Sequence, residues 1–297
     1  MDEDCGLQGN GDLFGLGVRL GLYIQLLTSG MVSSLLPKSL HSSYFINTNI
    51  SLFASTWIII IKESILRDLP AVEINVFSVL ALTQIGAIMV LVSRHLTMIP
   101  AISLAAIPAQ ILLSAYWTWF FWRGLDVLPR SACPDEYAFF FARVSLYHWF
   151  RTLSKVGYII LLVLVFYGCL TLPKQIRLIR ELQTEAQGLQ QEMEGDRWFQ
   201  LVHIALQMVN TMLILAIAVT STELTIKWNN IQGVYTLNSV GQLIPFITGL
   251  GLFMNVAYLI FNKYGIFHNH PEIEESLGDG SGTEPCPYRP GTENDQA

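Results

Sequence analysis

The stretch Asp12-Leu13-Phe14-Gly15-Leu16-Gly17-Val18-Arg19-Leu20-Gly21-Leu22-Tyr23-Ile24-Gln25 opens an apolar run that continues to Leu36. On a helix, spacings of three, four and seven return to one face, so Asp12, Gly15, Arg19 and Tyr23 share a side. Gly17, Gly21, Gln25 and Thr28 line the adjacent side with small or polar groups. The run is long enough to cross a bilayer, which takes about 20 residues. A crossing helix with a charge pair and a glycine stripe must aim both at protein rather than lipid. This first span is therefore expected at the centre, with the other helices gathered around it.

The composition agrees. Of the residues, 52% are hydrophobic and 13% charged, against about 25% charged in a soluble domain, and the mean hydropathy is +0.44. Long apolar runs recur at about 13–36, 44–64, 72–93, 97–121, 155–173, 199–222 and 239–261. The fold class that follows is all-α: a polytopic transmembrane bundle of about seven spans over residues 13–262. An acidic segment, 1–12, precedes it, and a Gly/Pro/Ser/Thr-rich acidic tail, 263–297, follows and is expected to be disordered. The start Met1-Asp2-Glu3-Asp4 lacks the positive n-region of a signal peptide, so the first apolar run reads as a retained helix. The Lys/Arg-free N-terminus and the basic run from Lys174 to Arg180 favour an N-out, C-in orientation. The location expected is a plasma or endomembrane.

Polar residues inside the spans mark faces that meet protein. Gln84, Gln110, Gln207 and Asn210 read either as hydrogen-bonding glue between helices or as a polar path. Arg19 costs about 2.5–3.5 kcal/mol to place in a span on insertion scales. Either it snorkels to the nearby outer surface, or it lies in an outer-facing polar pocket. The residues that such a pocket would draw on are Asp12, Arg19, Tyr23, Glu63, Glu223, Asn230 and Gln242. Glu63 or Glu223 would be the acid if chemistry occurs there.

Three further features stand out. Arg143, Tyr147, Arg151 and Lys155 recur every four residues, and aromatic residues surround them. This reads as a basic amphipathic helix at the lipid headgroups, leading into the fifth span. Residues 174–197 form a helical inner loop; its seam of Ile179, Leu182, Ala186, Leu189 and Met193 covers about two heptads and offers a surface to a protein partner. Cys5 and Cys133 both fall on the outer side, where a disulfide between them would persist.

Gly11 to Gln25, Cys133 to Lys155 (with Ser145-Leu146-Tyr147-His148-Trp149-Phe150-Arg151), and Lys227-Trp228-Asn229-Asn230-Ile231 with Asn238 to Pro245 form three blocks. Together they resemble a large group of uncharacterised multi-pass membrane proteins from filamentous fungi. The resemblance implies the topology and a fungal source, and no activity.

Several chemistries are excluded. Six scattered histidines cannot build the iron boxes of a desaturase, and His268 with His270 lacks further ligands. There is no aspartate-rich magnesium motif, phosphate loop, nucleophile elbow or zinc-protease motif. No basic region suits nucleic acid, and no cofactor or metal is expected. The readings left open are a receptor-like or scaffolding seven-helix protein, a membrane enzyme acting on a lipid or isoprenoid by acid initiation, and a small-molecule transporter. The partners expected are membrane lipids, a small hydrophobic ligand, and a protein at the inner loop.

Overall fold

Each long apolar run folds as a helix, since a helix satisfies its own backbone hydrogen bonds where no water is at hand. The computed structural model describes residues 6–36, 42–92, 99–131, 135–193, 197–237 and 239–263. Cys5, Cys133 and the tail from residue 264 lie outside them. The chain divides into two units, Met1–Ile260 and Phe261–Ala297. Of the second, only the last turn of one helix is described.

A short helix α1 (Gly11–Phe14) leads into α2 (Leu16–Leu35). The Asn10 side chain caps α1 by accepting the Asp12 N–H at 3.1 Å. Then come α3 (Ser42–Leu66), α4 (Ala71–Val92) and α5 (Ile99–Trp119). A π-helical turn (Phe120–Gly124) and a single turn α6 (Leu125–Val127) close that run. The chain continues into α7 (Trp149–Met193), α8 (Arg197–Trp228) and α9 (Val240–Lys263). Four short strands complete the fold: β1 (Leu7–Gln8), β2 (Tyr137–Phe139), β3 (Arg143–Ser145) and β4 (Ile231–Gln232). Among the described residues, six helical stretches are long and apolar enough to cross a membrane: Gly11–Leu35, Tyr44–Leu66, Ala71–Leu91, Trp149–Thr171, Leu201–Trp228 and Val240–Lys263.

The first span sits at the centre. Of its most apolar window, 72% is buried, against 6% for Trp149–Thr171. It meets α9 backbone to backbone through its glycines. A Cβ on Gly21 would run into the Pro245 carbonyl, and one on Gly249 would come within 2.6 Å of the Gly21 oxygen. This is the small-residue contact by which membrane helices approach closely. On α2's other sides, Gly30 packs against Thr211 of α8. Gln25 accepts from Gln84 of α4 at 3.4 Å. Gln207 of α8 donates to Ser33 Oγ (3.1 Å) and to the Val90 carbonyl (3.0 Å). These amides tie α2, α4 and α8 together. Asn210 faces outward and Gln110 is half-buried.

One end of the bundle is capped by chain segments far apart in sequence. β1 pairs in parallel with β4, Leu7 opposite Ile231 and Gln8 opposite Gln232. β2 and β3 form an antiparallel hairpin with Tyr137 opposite Ser145. The Ala71 N–H, at the start of α4, donates to the Pro129 carbonyl (3.3 Å). Away from this cap, α7 continues unbroken to Met193. Its 22 residues beyond Thr171 amount to about 33 Å of helix. Residues 174–193, expected as a helical loop, are thus the continuation of the helix that begins with the candidate span Trp149–Thr171.

The hairpin overturns one expectation. Arg143, Tyr147, Arg151 and Lys155 do not form one helical stripe, because Arg143 lies in β3 and α7 starts only at Trp149. A tight turn intervenes: Phe141 adopts a left-handed conformation (φ 54°), and the Phe140 N–H donates to the Ala142 carbonyl (3.0 Å). The aromatic run Tyr137–Phe141 and Val144 favour a pleated strand, and that preference defeats the four-residue spacing.

Candidate functional site

At the capped end, Arg19 and Glu223 converge. Arg19 is completely buried, and its guanidinium donates to Glu223 Oε1 from α8. It also donates to the Val234 carbonyl (2.9 Å) and lies 5.1 Å from the centroid of the Tyr235 ring. Arg19 Nε has no hydrogen-bond partner. The planar fork of arginine suits this double engagement. One side chain thereby joins the first span, α8 and the loop before α9. The Glu223 side chain keeps 35% of its surface, so solvent or headgroups reach the pair from the acid's side only. Tyr235, in the loop, has its phenol pushed up by burial and by the Glu223 charge.

The other pocket candidates are distributed around this pair. Tyr23 is buried one turn below Arg19, with its hydroxyl near the Thr222 side chain and without a well-formed hydrogen bond among the described residues. Gln242 is buried with its Oε1 unpartnered; its side chain packs against Gly11 and Gly15. Asp12 is exposed and lies against Gly241 at the start of α9. Asn230 ends α8 in a left-handed conformation (φ 46°) and accepts the Leu7 N–H (3.3 Å). Glu63 is elsewhere: at the end of α3 it pairs with Lys62 at 3.3 Å, and among the described residues it makes no hydrogen bond or ion pair with Arg19.

A second polar centre fastens the hairpin. Glu136 is buried, accepting the Ser131 N–H at Oε1 (2.7 Å) and the Tyr147 hydroxyl at Oε2 (3.0 Å). Burial and the Glu136 charge push the Tyr147 phenol far up. Arg130 stacks over the Tyr147 ring at 4.3 Å, and Arg143 over Tyr137 at 3.6 Å. Glu73, buried in the first turn of α4, accepts the Asn10 N–H (3.4 Å). Arg151 forks onto Asp126 (2.8 and 2.6 Å) and donates to the Phe121 and Trp122 carbonyls (2.9 and 3.1 Å). Those carbonyls belong to the π-helical turn, where regular helical bonding is broken. Lys155 sits over Trp122 at 5.1 Å.

Two concavities stand out among the described residues. One is an open groove of 380 Å³ between α3 and α9, lined by Asn47, Thr48, Ser51 and neighbours. The other, of 130 Å³, lies among α4, the π-helical turn, β2, α7 and α8. Neither is lined by a carboxylate or by Arg19. Asn75, Glu136 and Asn229, whose side-chain amide hydrogen-bonds both backbone groups of Tyr137 in β2, are not among the site residues expected from sequence. A lone Asn in an apolar run carries no local signal that separates a cavity lining from inter-helix glue.

Among the described residues, no group of three or more His, Cys, Asp or Glu could hold a metal ion. No family model matches the chain, and neither the curated proteins nor the solved structures contain a match.

Proposed function

We propose that the chain is a receptor-like or scaffolding membrane protein with seven spans, N-terminus outside and C-terminus inside. The observation that carries this is the asymmetry of the two ends. At one end the N-terminal strand, the start of α4, the 129–147 hairpin and the α8–α9 loop are hydrogen-bonded to one another. Each successive pair is separated by two long helices, which supports counting α5 as a span. Away from that end a single helix runs on to Met193. A fastened outer cap with a projecting inner helix suits a protein that presents surfaces rather than one that turns over substrate.

The buried charge at Arg19 acts in this reading as a clamp of the outer face, with Glu223 as its accessible acid. A polar ligand group would reach the pair from the Glu223 side. Acid-initiated lipid chemistry would need a carboxyl aimed into a cavity, and neither concavity has one. Membrane lipids are the surroundings, and the exposed Arg143 is placed for headgroups.

Two experiments test the reading. A C-terminal tag should resist protease on intact cells while an N-terminal tag is cut; the reverse overturns the orientation. Deleting residues 178–193 should leave thermal stability unchanged and reduce the size of the native assembly. An assembly of unchanged size removes the inner helix as a docking surface.

A further inference from the structure

The 130 Å³ cavity has the features of a built binding site. Its wall carries Trp117, Phe121 and Tyr158, whose planes lie within 8–19° of one another with centroids 5.5–5.8 Å apart. The three rings are thus stacked on one another as a rigid, nearly parallel aromatic wall. On the α4 side stands Asn75, only 7% exposed. Its carboxamide has no hydrogen-bond partner among the described residues, and neither does the Tyr158 hydroxyl. Neither group is among the sealed-off polar atoms of the bundle, so both remain open to a guest or to water. The remaining polar groups are committed: Ser221 and Thr225 both donate to carbonyls one turn back on α8, each at 2.6 Å.

The geometry points to a binding site for a small, neutral, flat aromatic molecule that carries one hydroxyl group, of phenol type. The volume is close to that of an engineered apolar cavity of about 150 Å³ that takes up benzene, so one ring fits and a fused polycycle does not. Stacked rings favour a planar guest over an alkyl one. Asn75 both donates and accepts, which matches a hydroxyl. Charged guests are excluded, because no ionic partner lines the space and an unpaired charge there is prohibitive. Leu82, 42% exposed on α4's outward side, belongs to the lining, which gives an apolar guest a route from the bilayer. This site is separate from the Arg19–Glu223 pair and holds whether or not the receptor-like reading does.

The test uses the full chain in nanodiscs, with phenol, benzene and benzoate as probes in thermal unfolding and in fluorescence titration of the tryptophans. Phenol should raise the melting temperature saturably and bind roughly ten-fold more tightly than benzene, the value of one neutral hydrogen bond. Benzoate should have no effect. Asn75→Leu should bring phenol down to the level of benzene, and Val79→Phe, which fills the cavity, should abolish both responses. A phenol response that survives Val79→Phe would show partition into the bilayer and overturn the site. Equal affinities for phenol and benzene in the unsubstituted protein would overturn the role of Asn75. Because each variant is compared with its own unliganded melting temperature, a loss of basal stability does not mimic either result.

Discussion

Asn229 holds Tyr137 by both backbone groups at once. Its Oδ1 accepts the Tyr137 N–H at 2.8 Å, and its Nδ2 donates to the Tyr137 carbonyl at 2.7 Å. The side chain thus takes the place of a neighbouring strand beside β2. The same Nδ2 reaches the Thr225 carbonyl at 2.6 Å, so the end of α8 and the hairpin share one amide.

Asn229→Ala would leave the N–H and carbonyl of Tyr137 unpaired at a site where Asn229 itself is only 7% exposed. The expected loss is about 2–4 kcal/mol, two buried groups at about 1–3 each with partial rehydration. Asn229→Asp keeps the acceptor, removes the donor and should lose a similar amount. Thermal unfolding of the purified protein measures both; a melting temperature within error of the original would refute the clamp.

Arg19→Leu leaves only the partly exposed Glu223 unpaired, so it should destabilise by about 1–3 kcal/mol, the cost of the lost hydrogen bonds. Glu223→Leu should cost more, about 3–5 kcal/mol, because it strands the fully buried guanidinium with only the Val234 carbonyl as partner. Arg19→Met combined with Glu223→Leu should lose less than the sum of the singles. Strict additivity in the double-mutant cycle would mean that the two do not act as a pair.

Glycines separate contact from composition. Gly21→Leu should disrupt the α2–α9 interface and lower the yield of folded protein, because overpacking against backbone cannot be relieved by a rotamer change and costs at least about 1–3 kcal/mol. Gly251→Ala, two residues beyond Gly249 with nothing within 4 Å of its Cβ position, should stay within about 0.5 kcal/mol of the original. Equal sensitivity at both positions, read from detergent-resistant folded yield, would argue against the interface.

The Asp126–Arg151 fork gives a pH dependence. Arg151's hydrogen bonds and charge hold the Asp126 carboxyl below the usual carboxylate range. A depressed folded-state pKa contributes stability that is fully present above the unfolded value and is lost as pH falls through the folded one. Unfolding midpoints should therefore drop in the acid range, and Asp126→Asn should flatten part of that drop. The effect should be small, since Asp126 is half exposed and screened. An unchanged acid limb in Asp126→Asn would show that the fork adds nothing to stability.

The central place of the first span was legible because its cues agree: Arg19 and the Gly17–Gly21 stripe are all costly to leave against lipid. The convergence of Arg19 with Glu223 was legible only as membership of one candidate pocket with Asp12 and Glu63, because nothing local in the sequence says which acid faces the guanidinium. The hairpin was missed because the spacing of Arg143, Tyr147, Arg151 and Lys155 imitates a helical face, and only the aromatic run Tyr137–Phe141 argued against it. Glu136 could not be found, since its partner Tyr147 comes beside it only through the pairing of β2 with β3, which the helical reading from Arg143 onward excludes. Asn75 was invisible for a different reason. Its role depends on what is missing beside it, and an absent hydrogen-bond partner leaves no trace in a sequence.

Arg19 is separated from Glu223 by 204 positions, and this makes synthesis of the chain a problem of waiting. At roughly 5–20 residues per second, the cation leaves the ribosome about 10–40 s before the acid that neutralises it. β1 must wait slightly longer for β4. During that interval the nascent first helix holds an unmatched charge, and the N-terminal strand an open edge. The order of translation thus makes the cap close late, with only the docking of α9 on the first span still to follow. A chain cut short after α7 would lack the residues that make the first span comfortable in the membrane, so quality control could recognise it by Arg19 alone.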